Sequence, residues 1–119
     1  MLDETLGKAT ESAEGALATL LVGMDGMIVA GSGDAGELPR ELLVASYSDL
    51  LRRIGSINRE AGIQDPVELV VTGPDVALVI RKVTAEYALL MLLSPGGSLG
   101  RARFELRKAA SAIQPELTD

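Results

Sequence analysis

Neither cysteine nor histidine nor tryptophan occurs in the 119 residues, and only 3% are aromatic. Without cysteine there are no disulfides, no thiolate nucleophile and no thiolate metal site. Without histidine the chain also lacks the commonest general base and the commonest transition-metal ligand. No apolar run approaches the length of a membrane span. The amino-terminal stretch MLDETLGKATESAEG is polar and acidic, unlike a signal peptide. An excess of base is missing too: 17 acidic residues face 11 basic ones, for a net charge of −6. A nucleic acid would be repelled by most of such a surface. These absences lead to the expectation of a cytoplasmic protein with no metal, no cofactor, no nucleic-acid partner and no membrane span.

What is present suffices for a core. At 47% hydrophobic, the chain reads as a single domain over residues 1–119. Leu2, Leu6, Ala9 and Ala13 recur at helical spacing before Gly15. Residues 16–23, ALATLLVG, read as a strand. Met24-Asp25-Gly26 is a tight turn, and MIVA, residues 27–30, returns antiparallel. Residues 39–61 form the longest helix, with Pro39 suited to its first turn and Gly62 to its end. Strands follow at 67–72, 76–83 and 87–93, joined by connections short enough for hairpins. Ser98 is placed to cap a last helix whose apolar stripe is Leu99, Ala102, Leu106, Ala109 and Ile113, with Pro115 beyond its end.

YALLMLL and ALATLLV are apolar on both faces and therefore belong in the centre of the sheet. MIVA and VELVVT belong at its edges. The expected fold is α/β of the α+β type: a five-stranded antiparallel sheet in the order 2-1-5-4-3, with the long helix on one face and the two terminal helices on the other.

Two glycine-rich stretches invite a phosphate reading. Gly31-Ser32-Gly33-Asp34-Ala35-Gly36 fits G-x-G-x-x-G, and Asp49 lies roughly where a ribose-binding carboxylate would stand. A dinucleotide site needs a parallel strand feeding directly into a helix. Here the preceding strand is the return arm of a hairpin, so GSGDAG reads as a surface loop. SPGGSLG precedes the last helix but lacks the Lys-Ser/Thr end of a P-loop, and it reads as a strand-to-helix turn. No carboxylate pair has clear acid–base spacing, and the serines have no histidine partner. No enzymatic activity is expected.

Charge is unevenly spread. Asp3, Glu4, Glu11, Glu14, Asp25, Asp34 and Glu37 face only Lys8 in the first 37 residues, whereas Arg101, Arg103, Arg107 and Lys108 cluster around Glu105. Both stretches read as solvated faces.

The segments LLVGMDGMIVAGSGD and YALLMLLSPGGSLGRARFELRKAA, together with the element order over nearly the whole chain, resemble the roadblock family. That family includes dynein light chains and bacterial and archaeal regulators of Ras-like GTPases. Within it the carrying points are the short turn at Gly26, the Leu-rich fifth strand and Leu99-Gly100-Arg101 at the start of the last helix. The resemblance implies a roadblock/profilin-like fold and a homodimer, or a heterodimer with another roadblock chain. In such dimers the middle helices pair and the third strands join two sheets. It further implies a non-catalytic scaffold that binds a small Ras-like GTPase and alters its activity or placement. A structural adaptor without a GTPase and a small-ligand sensor are the alternatives.

On the middle helix Leu43, Tyr47, Leu50, Ile54, Ile57 and Ala61 share one stripe, which Val44 and Leu51 widen. Ser48 and Gly55 flank it and would allow a close helix approach. From the residues alone the stripe is equally an intrachain core and a dimer seam. With the resemblance, Leu43, Tyr47, Leu50, Leu51, Ile54 and Ile57 become candidate dimer residues, joined by Val67, Leu69 and Val71 on an edge strand that needs covering. Arg52 and Arg59 are candidates to meet a partner's acidic groups. Phe104, off the last helix's stripe, is either a partner contact or packs against the first helix.

Overall fold

The computed structural model describes residues 1–117; Thr118 and Asp119 lie outside it. The chain runs α1 (Leu2–Ser12), β1 (Ala16–Gly23), β2 (Ile28–Gly33), α2 (Arg40–Glu60), β3 (Glu68–Thr72), β4 (Ala77–Lys82), β5 (Tyr87–Leu93) and α3 (Leu99–Leu117). The strands form one antiparallel sheet in the order β2-β1-β5-β4-β3. This is the order expected from which runs are apolar on both faces. The last six residues of β1 and the last six of β5 are buried.

A sheet apolar on both faces must be covered twice. On one side α1 and α3 seal a cluster that includes Leu6, Leu21, Val79, Leu89, Met91, Leu106 and Ile113. On the other, α2 lies over Leu20, Leu78, Ile80, Leu90 and Leu92 with Val44 and Leu51. At roughly 1.5–3 kcal/mol for each fully buried large aliphatic side chain, these two layers are the main favourable contribution to folding.

Several boundaries shift from the sequence reading, β3 and β4 by single residues at their ends, and three shifts have a clear physical origin. β2 extends to Gly33 rather than ending at Ala30, because Gly31, Ser32 and Gly33 pair with Leu20, Thr19 and Ala18. Half of the glycine-rich stretch is therefore strand. α2 begins at Arg40, with Pro39 just outside as its N-cap. α3 runs through Pro115 to Leu117 instead of stopping before it. The proline's missing N–H falls in the last turn, and the carbonyl it leaves unpaired belongs to exposed Ser111, which water can reach.

Ser98 caps α3 as expected, its Oγ accepting from Arg101 N at 3.2 Å. Ser98→Ala is expected to cost about 1 kcal/mol, read as a lower urea midpoint with unchanged slope.

Candidate interaction site

The long helix carries two adjacent apolar stripes, and the structure separates them. Val44, Ser48, Leu51 and Gly55 are buried against the sheet. Leu43, Tyr47, Leu50, Ile54 and Ile57 lie one residue around the helix, half in and half out. Leu43 and Tyr47 pack on the core below. Leu50 is 39% exposed and Ile57 62%. Leu51, at 2% exposure, belongs to the protein's own core rather than to an outward seam. Ser48 and Gly55 are buried too, so neither is open to a partner helix; a Cβ at Gly55 would meet the Arg59 and Asp65 side chains at 3.3 and 3.4 Å.

The outward stripe continues onto β3. Leu69 and Val71 share its α2-facing side, and Val67 precedes them at 60% exposure. β3 pairs with β4 alone, so its other edge carries unpaired backbone groups. Leu43, Tyr47 and Val71, together with the β3–β4 turn at Gly73-Pro74-Asp75, line a groove of about 200 Å³. Of the candidate dimer residues, Leu43, Tyr47 and Val71 meet at this groove; Leu50, Ile54 and Ile57 share the helix stripe, Val67 and Leu69 lie on the edge-strand segment, and Leu51 is in the core.

Arg52 and Arg59 stand on the opposite flank of α2, in a cleft of about 490 Å³ shared with Asp49, Arg53, Asp65 and Lys82. Asp49 is held between Arg52 and Arg53, at 3.1 and 2.9 Å. Asp65 takes both oxygens to Arg59 Nη1 at 2.7 Å and lies 4.0 Å from Lys82 Nζ. Each carboxylate thus serves two cations, and the cleft retains net positive charge within an acidic protein. Arg52 also donates to the Met24 carbonyl, and Met24 N donates to Glu86 O at 2.8 Å. The helix is thereby tied to the β1–β2 and β4–β5 turns. Sequence reading found Arg52 and Arg59 but not Arg53 or Lys82. Lys82 reaches the cleft from β4, and no local pattern announces that juxtaposition.

Phe104 is not brought to this cleft. It lies on α3, across the sheet, 43% exposed, with Arg101 and Lys108 stacked over its ring at 5.3 and 5.4 Å. Beneath it Glu105 is 1% exposed and paired with Arg101 at 2.9 Å and Lys108 at 3.5 Å.

In both glycine-rich stretches amides are already engaged within the fold. Asp34 N bonds Leu17 O at 2.9 Å, and Gly36 N bonds the Asp34 carboxylate at 2.8 Å. Gly97 N and Ser98 N bond Ser94 O and Glu14 O, both at 3.0 Å. The glycines serve close backbone approach instead. At Gly33, whose φ is +94°, a Cβ would stand 2.3 Å from the Leu17 carbonyl oxygen. Among the described residues no helix is long and apolar enough to cross a membrane, and no cluster of acidic side chains is arranged to hold a metal.

No protein-family model and no curated protein matches the sequence. Solved structures do match the fold. Myxococcus xanthus MglB superposes with a TM-score of 0.87 at 16% identity, over 98% of this chain and 94% of that one. A structure of MglB with a tetrameric arrangement gives 0.85 at 18% identity, over 94% of this chain and 84% of that one. A Roadblock/LC7 domain from Streptomyces avermitilis gives 0.85 at 16% identity, over 97% and 96%. Strand order, helix placement and near-complete coverage agree, and the chain has the roadblock fold.

Proposed function

We propose that the protein is a non-catalytic dimeric scaffold that binds a small Ras-like GTPase and modulates its activity or placement. The observation that carries this reading is the apolar surface running from Leu43, Tyr47, Leu50, Ile54 and Ile57 across to Val67, Leu69 and Val71 at an open sheet edge. A second roadblock chain, most simply another copy, would cover both at once: α2 against α2, and β3 against β3 in a continuous sheet. The tetrameric arrangement of MglB is consistent with self-association of such folds. The GTPase assignment rests on the resemblance to the roadblock family. The cleft of Arg52, Arg53, Arg59 and Lys82 supplies cations for a partner's acidic side chains. As the roadblock resemblance implies, the nucleotide in this reading is held by the GTPase partner.

Light-scattering mass of the purified chain, alone and mixed with a small Ras-like GTPase from the same operon, tests both halves. Twice the chain mass alone, and a further gain with the GTPase, is the expected result. Arg52→Ala with Arg59→Ala should then weaken GTPase binding roughly tenfold while the dimer persists. A monomer that ignores the GTPase would sink the reading.

A further inference from the structure

α3 presents a second surface with a different chemistry. Four of the chain's 11 basic residues, Arg101, Arg103, Arg107 and Lys108, fall within one short stretch of this helix. All four are exposed, as is Phe104 between them. The only carboxylate in that stretch, Glu105, is buried beneath them at 1% exposure. The outer face of α3 from Gly100 to Ala112 therefore shows solvent no negative charge, in a protein whose net charge is −6.

The spacing orders these groups. Residues three and four apart are neighbours on a helix surface. Arg103 and Arg107 make one row, and Arg101, Phe104 and Lys108 make the next. Arg103 is steadied by Glu68 of β3 at 2.6 Å. Arg101 is steadied by Ser12 O at 3.1 Å and by Glu105. Among the described residues Arg107 has no such tether, and it is exposed. An exposed aromatic ring between anchored guanidinium groups has the composition of a binding hot spot.

We infer that this face of α3 docks an acidic helical segment of a partner protein, with carboxylates one turn apart set on Arg103 and Arg107 and an apolar side chain on Phe104. Charge complementarity selects the occupant. The cations pair with carboxylates, and the ring takes a side chain rather than a headgroup. The acidic remainder of the chain opposes the broad contact that a membrane or a nucleic acid would need. The surface lies on the sheet face opposite α2 and touches the edge strand only through Arg103 and Glu68, so its failure would leave the dimer reading untouched.

The probe is an alanine-based helical peptide with Glu at i and i+4 flanking a Leu, compared with its Glu→Gln counterpart. Binding is measured by fluorescence anisotropy, and contacts are mapped by amide shift changes. The Glu peptide is expected to bind, to weaken steeply with salt, and to move the amides of residues 100–112. Phe104→Ala should weaken it about tenfold and Arg107→Gln about threefold. Arg107 is exposed, so its variant should leave thermal unfolding unchanged; Phe104→Ala, which removes a ring 43% exposed under Arg101 and Lys108, should lose little stability and stay folded. Any of four results would overturn the inference: no binding, equal binding of the Gln peptide, indifference to both variants, or shifts confined to the Arg52–Lys82 cleft. Tighter binding of phosphatidylserine vesicles through the same residues would overturn the choice of partner.

Discussion

Ile57→Asp is expected to leave the protomer folded and to abolish its self-association. The side chain is 62% exposed in the isolated chain, so a carboxylate there stays hydrated, and a surface change of this kind moves stability by about 0.5 kcal/mol or less. Across a dimer seam the same carboxylate would be buried opposite apolar side chains, and the nearest cation on its own helix, Arg53 one turn earlier, is already paired with Asp49 at 2.9 Å. An unpaired buried charge costs several kcal/mol. A penalty of about 3 kcal/mol on association corresponds to a dissociation constant weakened more than a hundredfold. Sedimentation velocity over a concentration series reads the mass, and circular dichroism reads the fold. Ile57 is the better probe than Ile54, which is half-buried in its own chain. A variant that keeps the parent's mass would remove α2 from the interface.

Gly15→Ala should destabilise the fold by on the order of 3 kcal/mol, from two separate causes. The backbone there has φ +83°, which costs an L residue about 1–2 kcal/mol. A Cβ would also stand 2.5 Å from Gly97 Cα, backbone against backbone, where no rotamer gives relief. That contact joins the α1–β1 turn to the β5–α3 turn. It is fastened by Ser94 N on Gly15 O at 2.8 Å and Ser98 N on Glu14 O at 3.0 Å. Forcing the two turns apart strains both bonds. Gly36 supplies the control, with φ +63° and open space around its Cβ position, so Gly36→Ala should show the conformational cost alone. Chemical unfolding of the two variants separates the terms. Equal losses would mean that the turns part freely.

The strand order was legible because YALLMLL and ALATLLV admit no solvent-facing side, which leaves only edge positions for the other runs. The extent of β2 was not, since Gly-Ser-Gly carries no apolar signal and its pairing is dictated by β1 across the hairpin. On α2 the periodicity was plain but its phase was hidden. Val44 and Leu51 are as apolar as Leu43 and Leu50, so hydrophobicity alone does not say which stripe meets the sheet. Ser48 and Gly55, small residues in phase with Val44 and Leu51, are buried with them, but the room at Gly55 is taken by the Arg59–Asp65 pair rather than by the sheet. Glu105 was equally obscure. A carboxylate in a basic stretch reads as surface, yet Arg101 and Lys108, four before and three after it, are placed to cover it.

The pairing of β1 with β5 bears on how the chain is made. Ala16 lies against Leu93 and Gly23 against Tyr87, so the middle of the sheet joins its first strand in chain order to its last. While the ribosome is still adding α2, β3 and β4, the apolar edge of β1 has no mate. Closing so distant a contact is slow, and an unpaired apolar strand is open to wrong partners meanwhile. Refolding from denaturant begins with β5 already present and escapes that wait. The nascent chain is thus the state of this protein most in need of a chaperone.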